Sequence, residues 1–123
     1  MVRVTQAVLP LLAASGAPVI VNVSSGLGSM AVTHDPERFE STYVSPAYSS
    51  SKAALNMLTS LYAKAFPEMR INAVDPGYTA TDLNGHRGTQ TVAEGAEIIV
   101  RMASIGADGS TGGYFSAAGP VPW

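Results

Sequence analysis

Two short runs of apolar residues predict the strands of a buried sheet. Residues 18–24 read PVIVNVS and residues 69–75 read MRINAVD. Residues 18–24 are mostly β-branched and alternate little, a pattern typical of a strand covered on both faces, as in a parallel sheet. Residues 69–75 are expected to form a second short apolar strand. A third, shorter strand is expected at residues 113–116, inside a tail rich in Gly and Pro.

Helical spacing predicts three helices around these strands. Residues 1–14 carry an apolar stripe that we expect Gly16 to close. Residues 46–66 are rich in Ala, Leu and Met without an internal Gly, after a Ser that can cap and a Pro suited to the first turn. Residues 91–105 are amphipathic and begin with a capping box. In the first helix the apolar stripe consists of Val4, Val8 and Leu11, and in the second the capping residues are Ser45 and Pro46. In the third helix Thr91 and Glu94 form the capping box, and the apolar stripe consists of Val92, Ala96, Ile99 and Met102.

The order of elements predicts an α/β fold. It runs helix, strand, loop, helix, strand, loop, helix and short strand, which corresponds to half of a doubly wound parallel sheet. The polar residues 29–45 are expected to form a loop with at most one short turn. Small residues that follow a buried strand, such as Ser24 and Ser25, occupy the place where such sheets bind ligands, although a plain turn explains them equally well.

Composition narrows the class of protein. The chain of 123 residues fits a single domain, and only 13% of its residues are charged against 46% hydrophobic. A net charge of −2 without a Lys/Arg cluster argues against a nucleic-acid partner. The absence of Cys suits a cytoplasmic protein, and no apolar stretch is long enough for a membrane span. The first 15 residues could pass for a signal peptide, but Pro10 breaks their short apolar run, so a helix is the better interpretation.

The candidate chemistry lies in the helix at residues 46–66. Tyr48 and Lys52 are four residues apart, so their side chains share one face, one turn apart. A neighbouring ammonium favours the phenolate and lowers a phenol pKa from its usual value near ~10. Such a pair can serve as a general acid, but it can equally be an exposed surface pair. No metal site is expected, because His34 stands alone, and Arg87 is expected to be solvated.

Four stretches in order resemble the C-terminal half of the short-chain dehydrogenase/reductase family, in particular its carbonyl-reductase-like branch. They are VNVSSGLGSM, AYSSSKAALN, INAVDPGYTATDL and TGGYFSAAGPVPW. The resemblance covers nearly the whole chain. It implies a partial Rossmann-like sheet, an NAD(P) cofactor with NADP favoured over NAD, and a small carbonyl or alcohol substrate.

The same resemblance implies roles for individual residues. Tyr48 matches the catalytic acid/base, Lys52 the lysine that lowers the tyrosine pKa and holds the nicotinamide ribose, and Ser25 the serine that binds the substrate carbonyl. Tyr48 and Lys52 thereby also belong to the cofactor site. Its other predicted members follow the second strand: Pro76, Gly77, Thr79 and Thr81. Asn22 and Asn72 are expected to be structural.

Other parts of the family pattern have no counterpart among these residues. The Gly-rich dinucleotide turn is absent, and the catalytic Asn would fall just before Met1. We therefore expect residues 1–123 to be one truncated domain of the family. Its strand at 18–24 is expected to expose an apolar edge, so we expect a chain that is oligomeric, rearranged or poorly soluble by itself.

Three hypotheses for function remain open at the level of the sequence. The chain is an NAD(P)-dependent oxidoreductase; or it is an inactive relative that serves as an association module; or it is half of an enzyme that another chain completes. In each case the helices at 1–14 and 46–66 are expected to form the surface of a homo-oligomer, since the family uses them in this way.

Overall fold

The computed structural model describes all residues from Met1 to Trp123, and its α/β architecture confirms the predicted fold class. Each predicted helix and strand is present, with ends shifted by a few residues. The helices are α1 (Val2–Ala13), α2 (Met30–Thr33), α3 (Pro46–Ala65) and α4 (Val92–Ala103), and the strands are β1 (Val19–Val23), β2 (Arg70–Asp75), β3 (Tyr114–Ser116) and β4 (Gly119–Pro120).

The four strands form one sheet in the order β1-β2-β3-β4. β1, β2 and β3 run parallel, and β1 aligns with β2 from Val19 opposite Arg70 to Val23 opposite Val74. β4 pairs antiparallel with β3 through a tight turn. The sequence prediction missed β4, because Gly119 and Pro120 carry no apolar alternation and are poor strand formers.

The two faces of the sheet carry separate apolar clusters. On one face Ile71, Met69 and Ala63 pack with apolar side chains of α1, β1 and α3: Leu9, Leu12, Ile20, Tyr62 and Phe66. On the other face Val74 packs with Ile98 and Met102 of α4 and with neighbouring side chains: Val21, Ile99, Ile105 and Phe115. The sheet therefore has helices on both faces, as the doubly wound pattern predicts.

The prediction that the strand at residues 18–24 is buried on both faces is wrong, although β1 does lie at the edge of the sheet as expected. The strand that is fully covered is β2, which the sequence indicated only as a short apolar strand. All of β2 from Ile71 to Asp75 is buried. Of β1 only Asn22 is buried, and 39% of Val23 is exposed. The physical reason is the sheet order, because β1 has a strand partner on one side only.

The predicted apolar stripe is wrong for α1 and largely correct for α4. On α1 the side chains of Val4 and Leu11 point outward, the latter 75% exposed, while Thr5 is buried.

On α4 the predicted Met102 is buried and the predicted Ala96 and Ile99 are half-buried, and only Val92 at the start of the stripe is exposed. Spacing of apolar residues therefore predicted both helices, but it identified the side that packs on the sheet only for α4.

The helix ends give a mixed outcome. Thr91 and Glu94 form the predicted capping box: the Glu94 amide donates to Thr91 Oγ1 at 3.2 Å, and the Thr91 amide donates to Glu94 Oε2 at 2.7 Å. The Thr91 amide and hydroxyl both donate to the Glu94 carboxylate and thereby lower its pKa. The Ser45 side chain makes no capping bond, so that prediction is wrong. α1 ends at Ala13, and its C-cap residue Ala14 has backbone angles of a right-handed helix. Gly16 therefore does not terminate the helix, contrary to the prediction.

The segment at residues 29–45 is more ordered than predicted. It contains the four-residue helix α2 and a 3₁₀ turn at Phe39–Thr42. Ser29 begins α2, because its hydroxyl oxygen accepts the amide hydrogen of Val32 at 3.0 Å. No helix in the chain has the length and apolar character needed to cross a membrane.

Candidate functional site

The C-terminal ends of β1 and β2 meet at one edge of the sheet, beside the first turns of α3. The Ser24 amide donates to the Val74 carbonyl at 2.7 Å, so strand pairing continues one residue past β1. The Ser24 hydroxyl donates to Asn56 Oδ1 at 2.5 Å, and Asn56 Nδ2 donates to the Gly28 carbonyl at 3.1 Å. One buried amide of α3 therefore fixes the turn after β1.

Gly28 lets this turn approach α3 closely. A Cβ atom at residue 28 would lie 2.7 Å from Cβ of Lys52 and 2.8 Å from its carbonyl carbon. Real Cβ atoms do not come so near to backbone, so any larger residue here would push the turn away from the helix. The close contact brings Ser25 and the turn Gly26–Gly28 next to the helical turn that carries Lys52.

Tyr48 and Lys52 are brought together as their spacing predicts. Lys52 Nζ lies 5.5 Å from the centroid of the Tyr48 ring, within the range of a cation–π contact. The same ammonium donates to the Val23 carbonyl at 2.9 Å, which ties α3 to the end of β1. Desolvation lowers the pKa of Lys52. Tyr48 as a whole residue is 36% exposed, so the ring is accessible from solvent.

The two serines after β1 have different surroundings. Ser24 is buried and its hydroxyl hydrogen is committed to Asn56. Ser25 is only partly buried, and its oxygen accepts the Leu27 amide hydrogen at 3.3 Å. The hydroxyl hydrogen of Ser25 has no acceptor within the chain, so it is free to bond an external oxygen. This difference agrees with the choice of Ser25 over Ser24.

The turn after β2 carries the other predicted site residues. Gly77 has a φ of 81°, which L-residues with side chains rarely adopt. Its amide donates to Asp75 Oδ1 at 3.0 Å, so Asp75 holds the start of the turn. Pro76 and Thr79 are partly buried and lie at the same edge of the sheet as Ser25. Thr81 ends the turn and leads into the 3₁₀ helix Asp82–Asn84.

A polar cluster behind this edge, in which Asp75 is the only buried charged residue, was not found from the sequence. Asp75 and Glu40 converge over Gly26: their oxygens lie 3.2 and 2.6 Å from the point where a Cβ of residue 26 would be. Arg38 forms an ion pair with Glu40 at 3.1 Å. Burial raises the pKa of Asp75, and Glu40 raises it further, while the Gly77 amide bond and Arg38 oppose these effects. The sequence signal that could have indicated this cluster is the position of Asp75 directly before Pro76 and Gly77.

Tyr114 lies inside the same cluster. Only 2% of its surface is exposed, and its hydroxyl lies near Ser24 without a bond of good geometry. Burial and the neighbouring Asp75 raise the pKa of this phenol far above its usual value, so Tyr114 stays neutral. The tail covers it from outside, because the Trp123 ring stacks on Tyr114 with centroids 5.3 Å apart.

Hydrogen bonds tie this tail to the start of α2. Ser29 Oγ donates to the Pro122 carbonyl at 2.7 Å, and the Ala31 amide donates to the Trp123 carbonyl at 3.3 Å. Trp123 is the single Trp of the chain and remains 42% exposed.

Comparison with known proteins settles the family. The family model for short chain dehydrogenases matches residues 1–92, three quarters of the chain. The chain belongs to the short-chain dehydrogenase family. The predicted resemblance is thereby confirmed, and it covers the residues discussed above up to the first turn of α4.

Individual members of the short-chain dehydrogenase family are similar along most of the chain. It is 36% identical to (-)-isopiperitenone reductase of Mentha piperita, over 92% of this chain and 46% of that protein. It is 33% identical to salutaridine reductase of Papaver bracteatum, over 94% of this chain and 48% of that protein. The chain thus spans about half the length of the curated relatives it matches.

Solved structures of the short-chain dehydrogenase family agree with the fold. Salutaridine reductase from Papaver somniferum superposes with a TM-score of 0.75 at 32% identity, over 93% of this chain and 50% of that one. NADPH-bound carbonyl reductase from chicken fatty liver gives a TM-score of 0.78 at 27% identity, over 97% of this chain and 51% of that one. Carbonyl reductases are therefore among its structural neighbours, in line with the branch predicted from the tail.

Proposed function

We propose that this chain carries the proton-transfer half of an NAD(P)-dependent oxidoreductase, which interconverts a small carbonyl compound and a secondary alcohol. The observation that carries the proposal is the placement of Lys52, 5.5 Å from the Tyr48 ring centroid and bonded to Val23 beside Ser25. The ammonium of Lys52 and the accessible phenol of Tyr48 thus lie side by side on α3, next to the turn that follows β1. Membership of the short-chain dehydrogenase family supports the same reaction class.

The roles of the side chains follow from their positions. Ser25 donates its free hydroxyl hydrogen to the substrate carbonyl oxygen, where negative charge develops during reduction. Tyr48 donates a second hydrogen bond to that oxygen and then transfers its proton to it. The positive charge of Lys52 stabilises the resulting phenolate. In the direction of oxidation, the Tyr48 phenolate accepts the proton of the alcohol.

The residues present fit the nicotinamide end of a dinucleotide. The turn from Pro76 to Thr81 lies at the same edge of the sheet, and the positive φ of Gly77 bends it back toward α4. A bound reduced nicotinamide supplies the hydride. Pro76, Gly77, Thr79 and Thr81 would orient the ring, and Lys52 would hold the ribose. NADP is favoured over NAD by the likeness to an NADPH-bound carbonyl reductase.

The first test is calorimetric titration of NADPH, and then NADH, into the purified chain. Saturable binding supports the proposal, and absence of binding by a folded sample contradicts it for these 123 residues. Oxidation of NADPH in the presence of a panel of cyclic ketones then tests turnover.

Replacement of Tyr48 separates binding from chemistry. Tyr48→Phe removes only the proton donor, so we expect turnover to fall by about 10³-fold or more while NADPH affinity changes little. Tyr62→Phe is the matched control, since it is the same change on the same helix, packed against Phe66 away from the site. Equal turnover in Tyr48→Phe and in wild type would exclude Tyr48 as the acid.

A second candidate, association through α1 and α3, has its own support. Both helices present large exposed apolar side chains: Val4 and Leu11 on α1, and Met57 and Leu61 on α3. Large apolar side chains that stay exposed on a helix are candidates for an interaction surface. We propose a homo-oligomer that uses these two faces, with or without catalysis by the chain itself. Sedimentation of the purified chain tests this directly, and a monodisperse monomer contradicts it.

A further inference from the structure

Gln90 lies beside the turn that follows β2, although it precedes α4 in the chain. The backbone of residues 89–90 runs next to that of residues 78–80: the Ala80 amide donates to the Gln90 carbonyl at 2.9 Å, and the Thr89 amide donates to the Tyr78 carbonyl at 2.8 Å. A parallel bridge joins Thr79 to Gln90. The turn is thus closed into a small loop instead of being left open to solvent.

The Gln90 side chain bonds the same turn at two points. Its Nε2 donates one hydrogen to the Pro76 carbonyl and the other to Thr79 Oγ1, the latter at 2.9 Å. Thr79 Oγ1 in turn donates to the Gly77 carbonyl at 3.3 Å. One amide group therefore fixes both the beginning of the turn and the rotamer of Thr79.

Asn84 bonds the turn from the other side. Its Nδ2 donates to the Thr79 carbonyl at 2.8 Å, and its Oδ1 accepts the Thr81 amide hydrogen at 3.2 Å. Both the carbonyl and the hydroxyl of Thr79 are therefore satisfied within the chain. What Thr79 can still offer to a ligand is its backbone N–H, whose direction Asn84 and Gln90 set.

Two glycines provide the space for this arrangement. A Cβ at Gly88 would lie 2.1 Å from the Ala80 amide nitrogen, and a Cβ at Gly95 would lie 2.4 Å from Thr79 Oγ1. Both distances are far below what real Cβ atoms show. Side chains and small residues from three separate places in the sequence thus converge on Thr79.

We propose that Gln90 and Asn84 are positioning residues that hold the turn at residues 76–81 in its cofactor-binding shape before the cofactor arrives. The proposal rests on the proposed function, since it assigns these amides to the nicotinamide end of the same site. A loop that is already ordered in its bound conformation loses less conformational freedom on binding, and affinity rises accordingly.

The test uses Gln90→Glu and Gln90→Leu in the full 123-residue chain, with Gln6→Leu as control. Gln90→Glu keeps the shape of the side chain but removes both donated hydrogens. Gln90→Leu keeps most of the bulk. Gln6 is exposed on α1 and makes no side-chain hydrogen bond. NADPH titration gives the affinity, and amide hydrogen exchange at Ala80 and Thr89 reports the order of the loop without any cofactor.

We expect about tenfold weaker NADPH binding and about tenfold faster exchange at Ala80 and Thr89 in both Gln90 variants, with no change in Gln6→Leu. Where turnover is measurable, KM for NADPH rises and kcat changes less. Wild-type exchange rates in the Gln90 variants, or unchanged affinity in a chain that binds NADPH, overturn the proposal. If the wild-type chain does not bind NADPH, the proposed function and the cofactor role of Gln90 both fail, and faster exchange in the variants then shows a structural role alone.

Discussion

β1 and β2 are similar in sequence but differ in what surrounds them. Both are short apolar strands with one central Asn, and they pair in parallel along their whole length. β2 has strand partners on both sides and is buried from Ile71 to Asp75, whereas β1 has one partner and is mostly half-exposed. Place in the sheet, and not composition, therefore decides how much each strand contributes to stability.

The two strands also anchor their Asn residues differently. Asn22 in β1 donates to one side-chain hydroxyl, Thr59 Oγ1 of α3, at 2.9 Å. Asn72 in β2 bonds two backbone groups, donating to the Ser110 carbonyl at 2.7 Å and accepting the Gly113 amide hydrogen at 3.0 Å. β2 therefore organises the segment that leads into β3, whereas β1 depends on α3.

The largest expected effect comes from truncating the core side chain of β2. Ile71→Ala leaves a cavity at a fully buried position and should lower the free energy of unfolding by about 3–4 kcal/mol. Ile20→Ala, the same change at the partly exposed neighbour in β1, should cost about half as much. Urea unfolding monitored by circular dichroism measures both. Equal losses would show that β1 is as well packed as β2 in solution.

Substitution of the Asn residue in each strand compares the two strands through their polar contacts. Asn72→Ala removes two hydrogen bonds from a fully buried side chain, one to the Ser110 carbonyl and one from the Gly113 amide, so we expect a loss of about 3 kcal/mol. Asn22→Ala should cost about 1–2 kcal/mol, because Thr59 Oγ1 still donates to the Leu55 carbonyl. The same urea titrations apply. A larger loss for Asn22 would contradict the view that β2 is the better anchored strand.

A buried carboxyl group at the end of β2 makes the stability of the chain depend on pH. Asp75 is buried at the end of β2, and burial raises the pKa of its carboxyl above the unfolded value near ~3.9. The folded chain then binds the proton more tightly than the unfolded chain. The Asp75 contribution to stability is therefore present at low pH and is lost as pH rises through the folded pKa.

Asp75→Asn removes this ionisation but keeps an oxygen for the Gly77 amide. We expect the variant to be more stable than wild type at pH 7, by less than either core effect, with the difference shrinking toward pH 4. Glu40 and Arg38 are the charged groups that face this carboxyl, and both remain in the variant. Thermal unfolding across this range, with exposed Asp108→Asn as control, makes the measurement. A pH-independent difference would exclude ionisation of Asp75 as the cause.

The smallest expected change in stability concerns the open edge of β1. Val19→Glu places a charge on this edge, opposite Arg70 in the register, and should change the free energy of unfolding by less than about 0.5 kcal/mol. Sedimentation should show weaker self-association than in wild type if the edge takes part. Val100→Glu, on the exposed side of α4, is the control. Association equal to wild type would assign the contact to α1 and α3 instead.

The sequence predicted the helices and strands well, but it predicted less well which of their side chains are buried. The strands, α3 and the capping box of α4 depend on local patterns, which the structure confirms. The outward stripe of Val4 and Leu11 depends on which neighbours are present, and spacing within one element carries no such information. The exposed edge of β1 was expected, but from the family resemblance and not from the pattern of the strand itself. β4 was missed because its pairing with β3 depends on a turn and not on its own residues.

The candidate site shows the same division. Tyr48 and Lys52 were predicted as a pair because one helix brings them together, whereas the roles of Ser25, Pro76 and Gly77 came from the family resemblance. The convergence of Glu40 and Asp75 over Gly26 joins residues 35 positions apart through loops, so no periodic pattern could indicate it. Gln90 escaped notice for a similar reason, since its partners lie 11 and 14 residues earlier in the chain.

The stacking of Trp123 on Tyr114 provides an optical reporter within the molecule. The chain contains a single indole, and its backbone is bonded to the start of α2, so tryptophan emission follows the local state of the strand ends without any label. Reduced nicotinamide absorbs where indole emits, and a dinucleotide seated at this edge of the sheet would quench that emission by energy transfer. Loss of ring stacking during unfolding would shift the same band, so ligand occupancy and tail detachment can be followed in one fluorescence experiment.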